Sequence, residues 1–209
     1  MNSRDESGTS GYHHGNLAAA LKEAAVNLIK EKGVSGFTLA EASRLAEVST
    51  AAPYRHFADR DALLAALALD ANLALEKSMD AAIQEAAGES FQELRGCGIA
   101  LGKFALEYPS HYQVLFGPFL NDRSGYPELE ASDRKNFATL RDVIERAQAD
   151  GFVQAGSSET LALAAMSIVT GIVNLRQNGS TKRFGIDSSN GTQILVEISD
   201  LLYLGLAPR

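Results

Sequence analysis

Between Ser49 and Arg60 the sequence gathers six hydrogen-bond donors, Ser49, Thr50, Tyr54, Arg55, His56 and Arg60, into twelve residues. Hydroxyls, backbone N–H groups at the start of a helix and guanidiniums bind phosphate oxygens, and the same groups can reach base edges in a duplex groove. Ala51 and Ala52 lie among them and keep the segment thin enough for a major groove, with methyls that suit thymine methyls. Tyr54 and His56 can donate to phosphate oxygens, and Arg60 adds a cation near the start of the next helix.

The charge distribution points to the same place. The chain of 209 residues has a formal net charge of -7, which argues against coating nucleic acid without regard to sequence. Residues 1 to 60 hold seven Lys or Arg against seven Asp or Glu, while the remainder holds twelve against nineteen. His13, His14 and His56 also fall in the first sixty residues and can add positive charge in a negative field. A polyanion would therefore meet the N-terminal part.

The donors need rigid elements beneath them. Thr38 to Phe57 reads as two short helices around a tight turn, with Leu39, Ala42, Leu45, Val48 and Tyr54 or Phe57 available to pack the pair, which is helix-turn-helix spacing. Thr38 is an N-cap with Glu41 three residues on as a capping box. Glu47 falls in the turn, where positive φ would cost a non-glycine residue about 1 kcal/mol. Pro53 is expected in the first turn of the second helix, where a missing N–H costs little. In front, Asn16 caps a helix carrying Leu17, Leu21, Ala24 and Leu28 that ends at Gly33 after Lys30 and Lys32.

Apolar spacing predicts helix nearly everywhere else, so the fold class is all-α. A long helix runs from Asp59 to Gly88, with Leu64, Leu67, Ala71, Leu75 and Ala82 on one face. Further helices are expected over 91 to 107, 110 to 116 and 127 to 150, the last with a stripe of Phe137, Leu140, Ile144 and Ala147. Thr160 to Leu175 carries no charge, so a helix there must be covered on most of its circumference. A final helix carries Ile194, Ile198, Leu201 and Leu202. The expected organisation is a flexible arm over 1 to 11, a helix-turn-helix domain over 12 to 60 and a helical domain over 61 to 209.

With 45% hydrophobic and 22% charged residues, disorder throughout is excluded. The single cysteine, Cys97, forms no internal disulfide and asks for no oxidising compartment. The polar start lacks the apolar core of a secretory signal, and no uncharged apolar run reaches bilayer length, so the cytoplasm is the expected location. An enzyme or metal protein on a helical bundle would have to use His13, His14, Asp80, Glu85, Glu107 and His111, but no HExxH, paired ExxH or glycine-rich phosphate loop is present. No catalytic residue, metal or cofactor is expected. A dimeric ligand-binding scaffold without DNA binding is the other alternative, suggested by the acidic charge and Glu47.

Tyr12-His13-His14-Gly15-Asn16-Leu17 followed by Val48-Ser49-Thr50-Ala51-Ala52-Pro53-Tyr54-Arg55-His56-Phe57 resembles the tetracycline-repressor (TetR) family over about residues 12 to 65. The resemblance implies a homodimeric bacterial transcription regulator, usually a repressor, with an N-terminal DNA-binding domain and a C-terminal domain that dimerises and binds a small effector. It places base reading on Thr50, Ala51, Ala52 and Tyr54, and phosphate contacts on Thr38, Ser49, Tyr54, His56 and Arg60.

The same resemblance puts an effector pocket in the C-terminal domain, with Phe104, Tyr108, His111, Tyr112, Phe116 and Met166 as the expected lining. Few charges fall there, which favours an apolar or aromatic effector. The expected dimer surface joins Leu161, Ala165, Ile168, Ile172 and Leu175 to Ile194, Ile198, Leu201 and Leu202, with Gly171 allowing close approach. Two recognition helices about one DNA turn apart, roughly 34 to 36 Å, would then read a palindromic operator. Effector binding would move the long helix and release DNA.

Overall fold

The computed structural model describes residues 17–120, 122–186 and 191–207, and among them every regular element is helical. The chain divides into two compact units, one up to Ala66 and one from Leu67. The division falls inside the long helix.

In the first unit, α1 (Leu17–Lys32) buries Leu21, Ala24, Ala25, Leu28 and Ile29, the 3–4 spacing of a single apolar stripe. It stops at Gly33, whose φ of 77° is left-handed and whose N–H donates to the Ile29 carbonyl over 2.8 Å. The expected cap, Asn16, lies outside the described residues. A 3₁₀ turn at Val34–Gly36 leads to α2 (Leu39–Leu45), and the long helix α3 begins at Arg60 and runs to Glu85. The core of this unit joins the α1 stripe to Val34, Phe37, Leu39, Ala42, Phe57, Leu63 and Leu64, all buried.

The second unit comprises the rest of α3 with α4 (Ser90–Glu107), α5 (Pro109–Phe116), α6 (Pro127–Ala149), α7 (Ser158–Gln177), the single turn α8 (Ser180–Arg183) and α9 (Gly191–Leu206). Helix α4 packs against α5, α6, α7 and α9, and is thus surrounded. Its close approach to α9 depends on Gly102, where a Cβ would lie 2.7 Å from Leu195 Cδ1. Charge pairs tie the helices at the periphery. Arg146 Nη2 and Nε donate to Glu93 Oε2 at 2.6 and 2.8 Å, and Arg95 Nε donates to Asp200 at 2.7 Å.

Within its own chain helix α7 is covered on one face, and the expectation of cover on most of its circumference would need a partner subunit for the rest. Ala162, Ala165, Val169 and Val173 form a buried stripe, while Leu163, Ile168 and Leu175 stay exposed. By length and composition α7, with 20 residues, is also apolar enough to cross a membrane, and less than half of its apolar stretch is buried. The expectation concerned uncharged runs, and the uncharged stretch here, Thr160 to Leu175, falls short of bilayer length. The uncharged stretch is shorter than the helix, which gains its length through Glu159 and Arg176 at its ends.

Candidate nucleic-acid interface and inner cavity

Local chemistry fixes the turn that presents the donor cluster. The capping box at α2 is complete, with Glu41 N–H donating to Thr38 Oγ1 at 3.2 Å and Thr38 N–H donating to Glu41 Oε2 at 2.8 Å. Lys32 Nζ donates to the other carboxylate oxygen at 2.8 Å. These bonds, that of Lys32 first and then those of Thr38, hold the Glu41 carboxyl down at about 2. At the far end, Val48 N–H donates to the Ser43 carbonyl and Glu47 N–H to the Arg44 carbonyl, at 3.0 and 3.1 Å. That pair of bonds is a Schellman termination, and it requires the left-handed backbone of Glu47, φ 56°. Both expectations for this stretch, the capping box and the positive φ, are therefore seen.

The next element differs from the expected short α-helix. After Val48 the chain makes a turn, with Ala52 N–H donating to the Ser49 carbonyl at 3.0 Å, and then one 3₁₀ turn at Pro53–Arg55. Proline explains the shortening, because Pro53 has no N–H to offer an upstream carbonyl and only a single turn closes behind it. Pro53 and Phe57 are buried, and between and before them Ser49, Thr50, Ala51, Tyr54, Arg55 and His56 are exposed, Tyr54 at 63%. Thr38 is exposed too, although its hydroxyl is bonded within the capping box. The donors therefore share one exposed stretch whose two apolar residues anchor it.

Arg60 is the exception. Its Nε donates to the Phe37 carbonyl at 3.1 Å, its Nη2 donates to the Val34 carbonyl, and its guanidinium sits 4.9 Å over the Phe37 ring. Expected as a phosphate contact, it instead ties the start of α3 to the connector between α1 and α2. Its spacing gives no hint of this, because the carbonyls it satisfies are 23 and 26 residues away. Tyr12 to Asn16, His13 and His14 included, lie outside the described residues.

Within the second unit a cavity of about 230 Å³ opens among α3, α4, α5, α6, α7 and α9. Leu75, Met79, Leu94, Cys97, Leu101, Leu115, Phe116, Phe137, Leu140, Ala165, Met166, Val169 and Leu202 supply most of its wall. One side is polar and continuous. Arg123 Nη1 donates to both oxygens of Asp133 at 2.9 and 2.7 Å, Asn72 Nδ2 donates to Asp133 Oδ1 at 2.6 Å, and Asn136 Nδ2 donates to Asn72 Oδ1 at 3.0 Å. Burial pushes the Cys97 thiol up to about 12, so it meets the cavity as a neutral, weakly polar group.

Two of the six expected lining residues, Phe116 and Met166, are on this wall. Phe104 and Tyr108, with ring centroids 5.6 Å apart, line a separate open groove with Lys77, Arg95 and Glu107. Tyr112 is buried with its hydroxyl toward α7, 3.3 Å from the Thr170 carbonyl, and burial holds that phenol near 12. His111 is half-buried with its ring edge-on to Tyr108. Phe104, Tyr108, His111 and Tyr112 are therefore placed off this wall, although Phe104 follows Cys97 and Leu101 at helical spacing on α4 and Tyr112 precedes Phe116 by one turn on α5. The sequence reading missed Asn72, Arg123, Asp133 and Asn136. Their signal was present, since Asn72 falls at helical spacing with Leu75 and Met79, and Asn136 with Leu140 and Val143.

The named surface residues of α7 and α9 divide similarly. Ile168, Leu175 and Leu201 are exposed, Leu161, Ile172, Ile194 and Ile198 are half-buried, and Ala165 and Leu202 are buried on the cavity wall instead of on an outer face. A Cβ at Gly171 would meet nothing within 4 Å. Asp80, Glu85, Glu107 and His111, the material of the metal alternative, belong to no group of three metal-binding side chains among the described residues.

Comparison with known proteins assigns the two regions. The family described as bacterial regulatory proteins, tetR family, matches residues 21–67, and the tetracyclin repressor-like C-terminal domain matches residues 94–197. The chain belongs to the TetR family. Its helix-turn-helix donors fall within the first matched region, and of the cavity residues the second holds Leu94 through Val169, leaving Asn72, Leu75 and Met79 of α3 and Leu202 of α9 outside both. No curated protein matches it in sequence.

Solved structures agree with the TetR fold over nearly the whole length. A protein of unknown function from Rhodococcus sp. RHA1 is 28% identical with a TM-score of 0.78, covering 95% of this chain and 100% of its own. The TetR family transcriptional regulator PfmR from Thermus thermophilus is 18% identical with a TM-score of 0.71, covering 90% and 99%. AibR, in complex with isovaleryl coenzyme A and operator DNA, is 17% identical with a TM-score of 0.70, covering 91% and 98%.

Proposed function

We propose that this TetR-family chain is a sequence-specific transcription regulator, a homodimeric repressor that binds a palindromic operator and is released by a small apolar or aromatic effector. The observation that carries the reading is the exposed stretch from Ser49 to His56, which offers hydroxyl, phenol, guanidinium and imidazole donors on a turn pinned by buried Pro53 and Phe57. Thr50, Ala51, Ala52 and Tyr54 read base edges, and Ser49, Arg55 and His56 hold phosphates, while Thr38 caps the helix before them. AibR, similar in fold, is seen with operator DNA and an acyl-coenzyme A, which supports DNA binding together with a ligand, while the smaller, uncharged effector is argued from the cavity of this chain. Catalytic residues have no part in it, and the cytoplasm is where such a regulator meets DNA.

The second copy covers the exposed apolar residues of α7 and α9, Leu163, Ile168, Leu175 and Leu201, with Gly171 letting the helices approach. An interface built this way is isologous and places two reading turns about a two-fold axis. The effector acts through α3, the helix that carries Arg60 at its start and Asn72, Leu75 and Met79 on the cavity wall. Release requires the effector to prefer one of two conformations of that helix.

Selection of bound sequences from random duplex DNA at fixed near-physiological salt, with Tyr54→Ala in parallel, tests the reading. An enriched palindrome that Tyr54→Ala binds about tenfold or more weakly, with unchanged melting, is the expected result. Folded, dimeric protein that enriches no sequence would overturn it.

A further inference from the structure

The polar wall of the cavity has a direction that its charges impose. Arg123 only donates, so Asp133 accepts from it and, being a carboxylate, also accepts from Asn72. The amide nitrogen of Asn72 is thereby committed and its oxygen is turned to Asn136. Asn136 answers with its own nitrogen, which donates to Asn72 Oδ1 at 3.0 Å and to the Asn72 carbonyl at 3.1 Å. Reversing either amide would set oxygen against oxygen, so the orientation is fixed along the chain. What remains at the end is Asn136 Oδ1, a buried acceptor without a partner on a residue that lines the cavity and is 8% exposed; the side chains around it close it to water, so a ligand donor meets it only by displacing them. Ser132 Oγ, one turn earlier on α6, also lacks a partner, but Ser132 is not part of the cavity wall.

The other end of the chain says what the ligand is not. Arg123 spends its guanidinium on Asp133, on the Leu120 carbonyl at 3.1 Å and on the Leu115 carbonyl at 2.6 Å. The cation is neutralised and bonded within the protein, and an anionic head placed beside it would also face Asp133. Size sets a further limit. An apolar cavity of about 150 Å³ binds benzene, so about 230 Å³ admits a substituted ring or short chain and not a bulky conjugate.

We propose that the cavity is built for a small uncharged molecule whose apolar body fills the Leu, Met and Phe wall and whose head donates a hydrogen bond to Asn136 Oδ1, as a phenol, alcohol or amide N–H does. This rests on the reading of the cavity as the effector site. A buried acceptor left unmatched penalises a ligand without a donor, so the polar end discriminates more sharply than the apolar wall.

The test is titration calorimetry of the full-length protein with three probes of closely similar size: 4-propylphenol, 4-propyltoluene and 4-propylbenzoate. The expected order in the wild type is phenol above toluene above benzoate. In Asn136→Leu the advantage of the phenol over the toluene falls about tenfold, and Leu140→Trp, which fills the cavity one turn from Asn136, removes binding of all three with melting unchanged. If Asn136→Leu does not fold, the wild-type order decides alone. Toluene binding as tightly as phenol, or benzoate binding best, overturns the proposal but leaves the effector site standing provided Leu140→Trp blocks those probes. Binding of none of the three, or phenol binding that survives Leu140→Trp, overturns the proposal together with the effector reading of this cavity.

Discussion

The two candidate sites of this regulator are built in opposite ways. The reading turn is assembled by neighbours in sequence: its cap bonds span three residues, its Schellman bonds three to five, and its donors are held by buried Pro53 and Phe57 in the same stretch. The cavity is assembled from six helices, and the bond that orients its polar wall, from Asn72 to Asp133, spans 61 residues. A site made of local contacts tolerates single changes, because each bond contributes only about 1 kcal/mol and no group is left stranded in the interior. A site made of one long-range chain fails at any link.

That contrast can be broken in the second unit first. Asp133→Ala leaves the partly buried Arg123 without its counter-charge and frees the Asn72 amide, so a loss of about 3 kcal/mol is expected, read as a lower melting temperature together with lost probe binding. Unchanged melting would mean that the polar wall is not a linked chain. Arg60→Ala comes next, with about 2 kcal/mol lost, because the carbonyls of buried Val34 and Phe37 lose their donor. Denaturation followed in the first unit should report it, and operator binding should fall with the population of folded turn.

Smaller effects sharpen the local side of the contrast. Glu47→Gly places glycine at the left-handed residue of the Schellman turn and should stabilise the first unit by about 1 kcal/mol. A loss there would show that the Glu47 side chain does something the backbone does not. Glu41 gives the smallest effect and a pH dependence. Its folded carboxyl titrates at about 2 against an ordinary 4.5, so its contribution is present above about pH 4.5 and is lost as pH falls toward 2. Glu41→Gln should flatten the acid limb of first-unit stability in that window, with little change at neutral pH, and an unaltered acid limb would count against the capping box as its source.

Legibility in the sequence follows the range of the interactions. Thr38 with Glu41, Gly33 with Lys30 and Lys32, and Glu47 before Val48 are local signals, and each appears in the structure as read. Pro53 reads as tolerable in the sequence, yet its effect is greater than a helix shift, since with one backbone donor missing the expected α-helix becomes a single 3₁₀ turn. The carbonyl bonds of Arg60 are not legible because a guanidinium in a basic cluster looks the same whether it faces a phosphate or a carbonyl. The aromatics Phe104, Tyr108 and Tyr112 mislead for a related reason. Phe104 and Tyr112 are buried as their size promises, but which space they face depends on the helices that pack there.

The sequence by itself determined the all-α class, the order and approximate bounds of the helices, the helix-turn-helix and the donors on its reading turn. These depend on periodicity, caps and proline or glycine backbone chemistry, which act over a few residues. Tertiary structure decided that Arg60 bonds the carbonyls of Val34 and Phe37, that Ala165 and Leu202 face a cavity, and that Asn72, Arg123, Asp133 and Asn136 form one directed chain with a free acceptor at its end. Those outcomes depend on which donors and acceptors meet across helices far apart in the chain, and on the cost of leaving any of them unmet once water is excluded.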